Sequence, residues 1–159
     1  MLELTGLNNQ KILIQSSVVN KLFTYIQRTS DKPESGGLFI GKSFTGDILQ
    51  IEDITYPISG DRQSKFYFFR SSKHGELIED IWEQSGHIKT LIGTWHTHPE
   101  DKPTPSCVDI KDWKKIISNN IKLNINFIFA IVGIKITVFW QNNNGNFIQI
   151  GEIDNECYN

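Results

Sequence analysis

The segment at residues 89–117 most constrains the fold, because it predicts a strand that ends at two histidines and is followed closely by a helix. Residues 89–95 are rich in apolar and β-branched side chains, which is typical of a strand that continues into His96 and His98. Alternate residues of a strand face the same way, so both imidazoles would point into one cleft. Pro99 lacks a backbone N–H and tends to end such a strand.

A helix is predicted directly after this strand. Its apolar stripe repeats at helical spacing and comprises Ile110, Trp113, Ile116 and Ile117. Ser106 would be the N-cap, and Asp109 would lie in the first turn, near the strand end that carries the histidines. Two imidazoles and one carboxylate can occupy three positions of a tetrahedral zinc and leave the fourth for water. The spacing therefore predicts that the strand end and the helix start converge on one metal ion.

Each of these features also has an ordinary structural interpretation. Ser106 and Asp109 form an S-x-x-D string before an apolar helical run, which by itself indicates a capping box more readily than a catalytic group. Two histidines at i and i+2, such as His96 and His98, occur on surface strands as well as in metal sites. At this joint spacing, the ligand chemistry favours metal. The same residues at a helix start can cap the helix and coordinate a metal ion at the same time.

An upstream acidic residue, Glu34, is a weaker candidate for a catalytic role when it is judged from its local sequence alone. It lies in a polar turn with Pro33, Gly36 and Gly37, where an acidic side chain is unremarkable. Other acidic candidates for a proton-transferring group are Glu52, Asp53, Glu76 and Glu100.

Three further residues have reactive side chains but favour ordinary roles. Cys107 lies near a helix N-terminus, yet no other histidine and acid are spaced to activate it as a nucleophile. We therefore expect a small, partly buried helix residue. His74 and His87 flank a predicted helix, and we expect both to be solvated.

The string His96-Thr97-His98-Pro99, six intervening residues, Ser106-Cys107-Val108-Asp109 and the preceding Glu34 resembles the JAMM (JAB/MPN-plus) zinc isopeptidases. The resemblance runs from about residue 34 to residue 140. It includes residues 33–41, which are similar to the segment in which these enzymes place their general base. No long insertions of the kind that dock ubiquitin chains are present. The chain is most similar to the compact bacterial members found beside ubiquitin-transfer-like enzymes in antiphage (CBASS-type) operons.

This resemblance implies a role for each of five residues. His96, His98 and Asp109 would hold Zn2+. Glu34 would accept a proton from the metal-bound water and pass it to the leaving amine, and Ser106 would help to stabilise the oxyanion. The implied activity is that of a zinc metalloprotease, a deubiquitinase-like isopeptidase.

The resemblance also implies the substrate class and the partners. The enzyme would hydrolyse the amide bond between the C-terminus of a ubiquitin-like or similarly conjugated protein and its target. Activating and conjugating enzymes of the same operon would be further partners. JAMM relatives hold an extended C-terminal tail against a sheet edge, and here residues 50–57 or the loop at residues 59–62 are candidates for that contact.

Two other functions stay open at this point. A catalytically inactive MPN-type scaffold or binding module would share the fold, although it has no need to keep all five groups in register. The same three ligands could hold iron, as in two-histidine, one-carboxylate oxygenases. Such oxygenases do not require Glu34 or Ser106.

Length and composition agree with a single JAB/MPN-like catalytic domain over residues 1–159. A hydrophobic content of 38% is ordinary for a globular chain of 159 residues. A net charge of -2 gives no basic footprint for nucleic acid. No apolar stretch of about 18 residues and no leader peptide is visible, so we expect no membrane association. Cys107 and Cys157 form no disulfide framework, which favours the cytoplasm.

The fold class expected from the residue patterns is α/β (α+β), with a mixed, largely antiparallel sheet flanked by helices. One helix would be capped by Ser16 or Ser17 and end near residues 30–31, and another around residues 77–82 would be terminated by Gly86. Expected strands cover residues 37–41, 48–56, 65–69, 126–132, 134–140 and 146–153, with turns at residues 45–47 and 142–145. The aromatic run at residues 66–69 fits a sheet core better than a partner groove.

Overall fold

The fold is described from a computed structural model, which gives the structure of residues 1–45 and 47–158. The main strands in the first half are β1 (Leu2–Thr5), β2 (Lys11–Ile14), β3 (Gly36–Phe44), β4 (Ile48–Ile54), β5 (Arg62–Ser64) and β6 (Tyr67–Phe69). The later strands are β7 (Thr90–Thr97), β8 (Ile128–Val132), β9 (Ile136–Asn143) and β10 (Asn146–Asp154). The helices are α1 (Ser16–Phe23), α2 (Lys73–Gln84) and α3 (Cys107–Asn119).

Eight of these strands form one mixed sheet in the order β1-β2-β4-β3-β7-β8-β9-β10. The pairs β2/β4 and β7/β8 are parallel, and the other neighbours are antiparallel. Strands β5 and β6 form a separate two-stranded hairpin. The expectation of a mixed, largely antiparallel sheet flanked by helices is confirmed.

The sheet has an apolar core on each face. On one face α1 packs through its buried apolar side chains, which include Leu22, against a cluster that contains Phe39 and Trp95. On the other face Trp113 of α3 packs against a second cluster that contains Leu38. Because neighbouring strand residues point to opposite faces, Leu38 and Phe39 serve different cores. Residues 36–41 of β3 and residues 91–97 of β7 are therefore buried on both sides of the sheet.

The ends of α1 differ from the prediction. Gln15, rather than Ser16 or Ser17, is the N-cap residue, and it provides no side-chain cap. The helix ends at Phe23 instead of continuing to residues 30–31. After this point the backbone N–H groups bond carbonyls three residues back or nearer, and the chain turns so that the side chain of Gln27 enters the interior.

Two predicted turns are confirmed by backbone geometry. Gly86 follows α2 with φ 69°, a left-handed conformation that commonly ends helices. Asn144 and Gly145 join β9 to β10, and both have positive φ, as two-residue hairpin turns require. Between β3 and β4, the predicted turn includes Gly46, which lies outside the described residues.

The aromatic run at residues 66–69 does not lie in the main sheet, so its assignment to a sheet core is wrong. Phe66 is 74% exposed, and Tyr67 and Phe69 are also exposed. Only Phe68 turns inward, where its ring fills the space that a side chain at Gly36 would occupy. With alternating side chains on a short hairpin, one aromatic residue packs inward and its neighbours point outward.

Within the described part of the chain, none of the helices is both long enough and apolar enough to cross a membrane.

Candidate metal centre

Two elements bring three potential ligands together. Strand β7 carries His96, and His98 follows directly after the strand end, where its backbone N–H bonds the carbonyl of Val132. Helix α3 carries Asp109 in its first turn. The Nε2 atoms of His96 and His98 lie 3.1 Å apart. The carboxylate of Asp109 reaches both rings, with Oδ1 at 3.0 Å from His96 Nε2 and Oδ2 at 3.1 Å from His98 Nε2.

This arrangement fits a tetrahedral metal ion. Zinc binds nitrogen and oxygen ligands at about 2.0–2.2 Å, which separates neighbouring ligand atoms by about 3.4 Å. The candidate ligand atoms of His96, His98 and Asp109 all lie within 4.8 Å of one another. Both histidines are buried, and the Asp109 side chain is nearly so. Small side-chain shifts would therefore suffice to surround an ion with these three groups.

Burial and charge together set the protonation of this cluster. Burial lowers the pKa of His96 despite the nearby carboxylate of Asp109. Burial alone would raise the pKa of Asp109, but hydrogen bonds from both imidazoles hold it well below its ordinary value. For His98, burial is outweighed by neighbouring carboxylates, which raise the pKa of the ring. Asp109 is consequently ionised at neutral pH, as a metal ligand must be.

The predicted capping box at the start of α3 is present. The backbone N–H of Asp109 donates to Ser106 Oγ at 3.1 Å, and the backbone N–H of Ser106 donates to Asp109 Oδ2 at 2.7 Å. The same carboxylate therefore caps the helix and faces both imidazoles. The capping interpretation and the convergence of strand end and helix start are both correct at this site.

Glu34 lies beside the cluster, in the turn before β3. Its side chain is almost fully buried, and Oε1 lies 3.9 Å from His98 Nε2. Burial raises the pKa of Glu34 to about 8, although the charge of His98 opposes the shift. The hairpin fixes the backbone, since the Glu34 N–H donates to Ser64 O and Gln63 Nε2 donates to Glu34 O. A carboxyl group that can exchange protons near neutral pH is thus held at the cluster.

The other acidic candidates lie elsewhere or have another contact. Glu52 pairs with two lysines, Asp53 pairs with one lysine, and Glu76 is on the exposed part of α2. Glu100 does reach the cluster, but its Oε1 lies 2.8 Å from Nδ1 of His98, whereas Nε2 of the same ring faces Asp109. The sequence analysis considered Glu100 as a proton acceptor and missed its contact with His98, a candidate metal ligand.

His74 is buried rather than solvated, so that expectation is wrong. Its Nε2 lies 2.8 Å from Asp61 Oδ2, and its Nδ1 lies 2.8 Å from Thr55 Oγ1. Asp61 also accepts the backbone N–H groups of Ser71 and Ile58. The loop at residues 59–62, one candidate for substrate capture, is therefore fastened to the interior through Asp61.

The remaining two residues with reactive side chains are both at the surface. His87 is exposed, as expected, and its ring stacks on Trp82 with centroids 3.7 Å apart. Cys107 is exposed, which corrects the expectation of partial burial.

Two buried polar residues next to the cluster were missed by the sequence analysis. Thr97 lies between the two histidines, and its hydroxyl donates to Gln27 Oε1 at 2.9 Å. The available indication was the strand alternation, which turns Thr97 away from the cleft and into the interior. A buried threonine needs a polar partner, but the sequence does not identify that partner as Gln27.

The fold and this cluster define a JAB-type domain, and the family comparison agrees. Residues 16–143 match the family described as prokaryotic homologs of the JAB domain. The chain belongs to this family. The resemblance to JAMM proteins read from the histidine, serine and aspartate spacing is confirmed.

Named relatives extend this comparison. A Vibrio cholerae serotype O1 protein named "CD-NTase/cGAS isopeptidase" is 36% identical over 130 residues, which cover 81% of this chain and 79% of that protein. An Escherichia coli protein with the same name is 38% identical over 103 residues, covering 64% of this chain and 65% of the relative. A Pseudomonas aeruginosa protein of that name is 30% identical over 110 residues and covers 69% of each chain.

A solved structure supports the fold independently. A Desulfitobacterium hafniense protein, determined in solution, superposes with a TM-score of 0.63 at 16% sequence identity. The match covers 87% of this chain and 88% of that protein. At this identity the likeness concerns the fold alone.

Proposed function

We propose that the protein is a zinc-dependent JAMM isopeptidase. It hydrolyses the amide bond between the C-terminus of a ubiquitin-like or similarly conjugated protein and its target. The observation that carries this proposal is the meeting of His96, His98 and Asp109 within 3.1 Å, with the buried Glu34 carboxyl 3.9 Å from His98. The names of the three relatives support the isopeptidase activity and point to a CD-NTase or cGAS protein as the conjugated partner.

His96, His98 and Asp109 would hold the zinc ion. When bound, zinc lowers the pKa of a water molecule to about 7 and polarises the scissile carbonyl group. Two imidazoles and one carboxylate also suit iron(II). Glu34 favours the hydrolytic alternative, because an oxygenase site has no use for a buried carboxyl beside the ligands.

Glu34 is the general base and then the general acid. Its pKa of about 8, raised by burial, allows the carboxyl to take up a proton near neutral pH and to release it again. Its position near His98 keeps the carboxyl within one water molecule of the ligand cluster. The proton taken from the attacking water then passes to the leaving amine, so that the amine departs neutral.

Ser106 stabilises the oxyanion that forms on the scissile carbonyl. Its Oγ accepts the backbone N–H of Asp109, which leaves the hydroxyl hydrogen available to donate. Ser106 is exposed at the start of α3, so a substrate can reach its hydroxyl. A donor held in advance where negative charge develops is a major contributor to amide hydrolysis.

We place the reaction in a bacterial antiphage conjugation system, in the cytoplasm, with activating and conjugating enzymes as further partners. The names of the relatives support the assignment to an antiphage conjugation system. Cys107 and Cys157 are free and exposed, which suits a reducing compartment.

The proposal is tested by metal content and cleavage measured on the same preparations. Elemental mass spectrometry should find about one zinc per chain in the wild-type protein and a large loss in Asp109→Ala, because an incomplete ligand set weakens binding. The zinc-loaded protein should release a CD-NTase from a conjugate in which its C-terminal carboxyl is joined to a lysine amine. Bound zinc without any cleavage of such conjugates would favour the inactive scaffold.

A further inference from the structure

We propose that Gln27 and Thr97 are positioning residues for Glu34. Their side chains form a buried hydrogen-bonded pair, here called the Gln27–Thr97 bracket, that holds the turn carrying Glu34 against the strand carrying the histidines. This inference rests on the proposed function, because it explains how the base of that reaction is kept in place.

Thr97 ties the histidine strand to the residue that follows Glu34. Its side chain is fully buried and points away from the cleft, opposite to the two histidines on either side of it. The backbone N–H of Ser35 donates to Thr97 Oγ1 at 2.9 Å, and the backbone N–H of Thr97 donates to Ser35 O at 2.9 Å. Ser35 is thereby bonded twice to the one residue that separates His96 from His98.

Gln27 extends this contact to two further segments. Its amide is 1% exposed, and Oε1 accepts the hydroxyl of Thr97. Its Nε2 group donates to Lys32 O at 3.0 Å and to Lys65 O at 3.2 Å. Both amide hydrogens and the amide oxygen are therefore used, and each bond joins a different part of the chain.

Glu34 lies at the centre of these bonds. Gln27 holds the carbonyl of Lys32 on one side, and Thr97 holds Ser35 on the other. The hairpin that Gln27 bonds at Lys65 also accepts the backbone N–H of Glu34 at Ser64 O. The bracket acts on the backbone around Glu34 and so sets the place of its carboxyl relative to His98.

The packing explains why an amide is suited to this position. Residues 24–35 form turns without a helix or strand, so their backbone groups need partners from side chains. A buried glutamine supplies two donors and one acceptor from a single side chain. An apolar residue of similar size would fill the space, but it would leave the turn of Glu34 free to shift.

The activity test compares variants that keep the volume and lose the bonds. In zinc-loaded protein, Gln27→Met and Thr97→Val should each lower kcat roughly 10- to 100-fold with little change in KM, because misplacement of a catalytic group by about 1 Å has effects of this size. Bound zinc should stay at the wild-type level. Thr97→Ser keeps the hydroxyl and should recover most of the wild-type kcat.

A matched control separates positioning from general destabilisation. Gln141 is also a fully buried amide; it accepts the backbone N–H of Leu7 and donates to Asn126 O, at the end of β9 away from the histidines. Gln141→Met should lower the melting temperature by an amount similar to Gln27→Met, yet keep kcat. Equal losses of kcat in the two variants, or full kcat in both Gln27→Met and Thr97→Val, would overturn the proposal.

A second readout does not depend on cleavage. Amide hydrogen exchange followed by NMR should be about tenfold faster at Glu34 and Ser35 in Gln27→Met than in the wild type, whereas the amides of β4 should be unchanged. Unaltered exchange at Glu34 and Ser35 would contradict the bracket. If the wild-type protein cleaves no conjugate, the proposed function fails, and the exchange measurement still decides whether the bracket holds this turn.

Discussion

Oε1 of Glu34 lies 3.9 Å from Nε2 of His98, because both residues extend the antiparallel pairing of β3 with β7. Gly36 is the register partner of His96. Because the strands are antiparallel, Glu34, two residues before Gly36, comes opposite His98, two residues after His96. The sheet register, rather than the local sequence of the turn, therefore brings the carboxyl to the candidate metal ligands.

Glu34→Gln should alter the pH dependence of stability in the metal-free protein. Burial raises the pKa of Glu34 from 4.5 to about 8, so the folded state binds this proton more tightly than the unfolded state. The stabilisation is complete below pH 4.5 and is lost as the pH rises through 8. Since glutamine does not ionise, the melting temperature of Glu34→Gln relative to wild type should increase between pH 5 and pH 9 in the presence of a chelator. A difference that is independent of pH would contradict the assigned burial.

The two roles of Ser106 can be separated by two substitutions. Ser106→Ala should destabilise the protein by about 1 kcal/mol through loss of the N-cap, whereas Ser106→Gly should cost only a few tenths of a kcal/mol. Both variants lack the hydroxyl and should lose catalytic rate to a similar extent, roughly 100-fold if the oxyanion depends on this donor. Thermal unfolding and single-turnover cleavage provide the two readouts. If the cleavage rate falls only in the variant that loses stability, so that Ser106→Gly is fully active, Ser106 acts as a helix cap alone.

Glu100 should strengthen metal binding through His98. Its carboxylate contacts Nδ1 of the ring and leaves Nε2 toward the cluster, and such contacts typically change metal affinity by about 10- to 100-fold. Glu100→Ala should weaken zinc binding by a factor in this range, and Glu100→Gln by less. Competition with a chromophoric chelator measures both affinities. Glu156→Ala, which removes an exposed carboxylate near the C-terminus, is the control, and an equal effect in it would remove the case for Glu100.

Asp61 should stabilise the fold in a pH-dependent way. Burial opposes ionisation, but the backbone N–H of Ser71 and the ring of His74 lower the pKa of Asp61 below 3.8. This stabilisation is present above pH 3.8 and is lost as the pH falls through the lowered pKa. Asp61→Asn should therefore lower the free energy of unfolding by roughly 1–3 kcal/mol at pH 7 and by progressively less as the pH falls.

The matched control for Asp61 is an exposed ion pair. Asp101→Asn removes a carboxylate that pairs with Lys135 at the surface, where such pairs contribute little. Urea unfolding at several pH values compares the two variants. A similar, small effect of both substitutions at pH 7 would show that the buried bonds of Asp61 are not important for stability.

The local features of the fold, which are set by interactions between residues close together in the chain, could be predicted from the sequence. The strand that ends at His96 and His98, the Ser106 cap and the β9–β10 turn follow from alternation, capping and turn preferences. Each needs information from only a few adjacent residues. Their convergence was also predictable, because the loop between the strand and α3 is short.

The errors concern residues whose partners are distant in the chain. His74 is buried because Asp61 and Thr55 bond both ring nitrogens, and nothing near His74 in the sequence indicates these partners. α1 ends early where Gln27 turns inward to bond Lys65. In each case a tertiary hydrogen bond outweighs the local pattern.

The aromatic run at residues 66–69 failed for a related reason. Its composition is typical of a buried strand, but β6 pairs only with the short β5 and leaves Phe66 exposed. Composition shows that a segment can form a strand, and it does not show which sheet the strand joins. The position of this hairpin beside Glu34 is therefore information that only the structure provides.

In the proposed reaction, Glu34 transfers the proton at a zinc ion held by His96, His98 and Asp109. The most direct test is single-turnover cleavage of a lysine-linked CD-NTase conjugate by wild-type and Glu34→Gln proteins that have been shown to carry equal amounts of zinc. Both proteins should carry about one zinc per chain, and Glu34→Gln should lose at least about 100-fold in rate, in line with the contribution of general acid–base catalysis. Equal rates in the two zinc-loaded proteins would show that Glu34 does not transfer the proton.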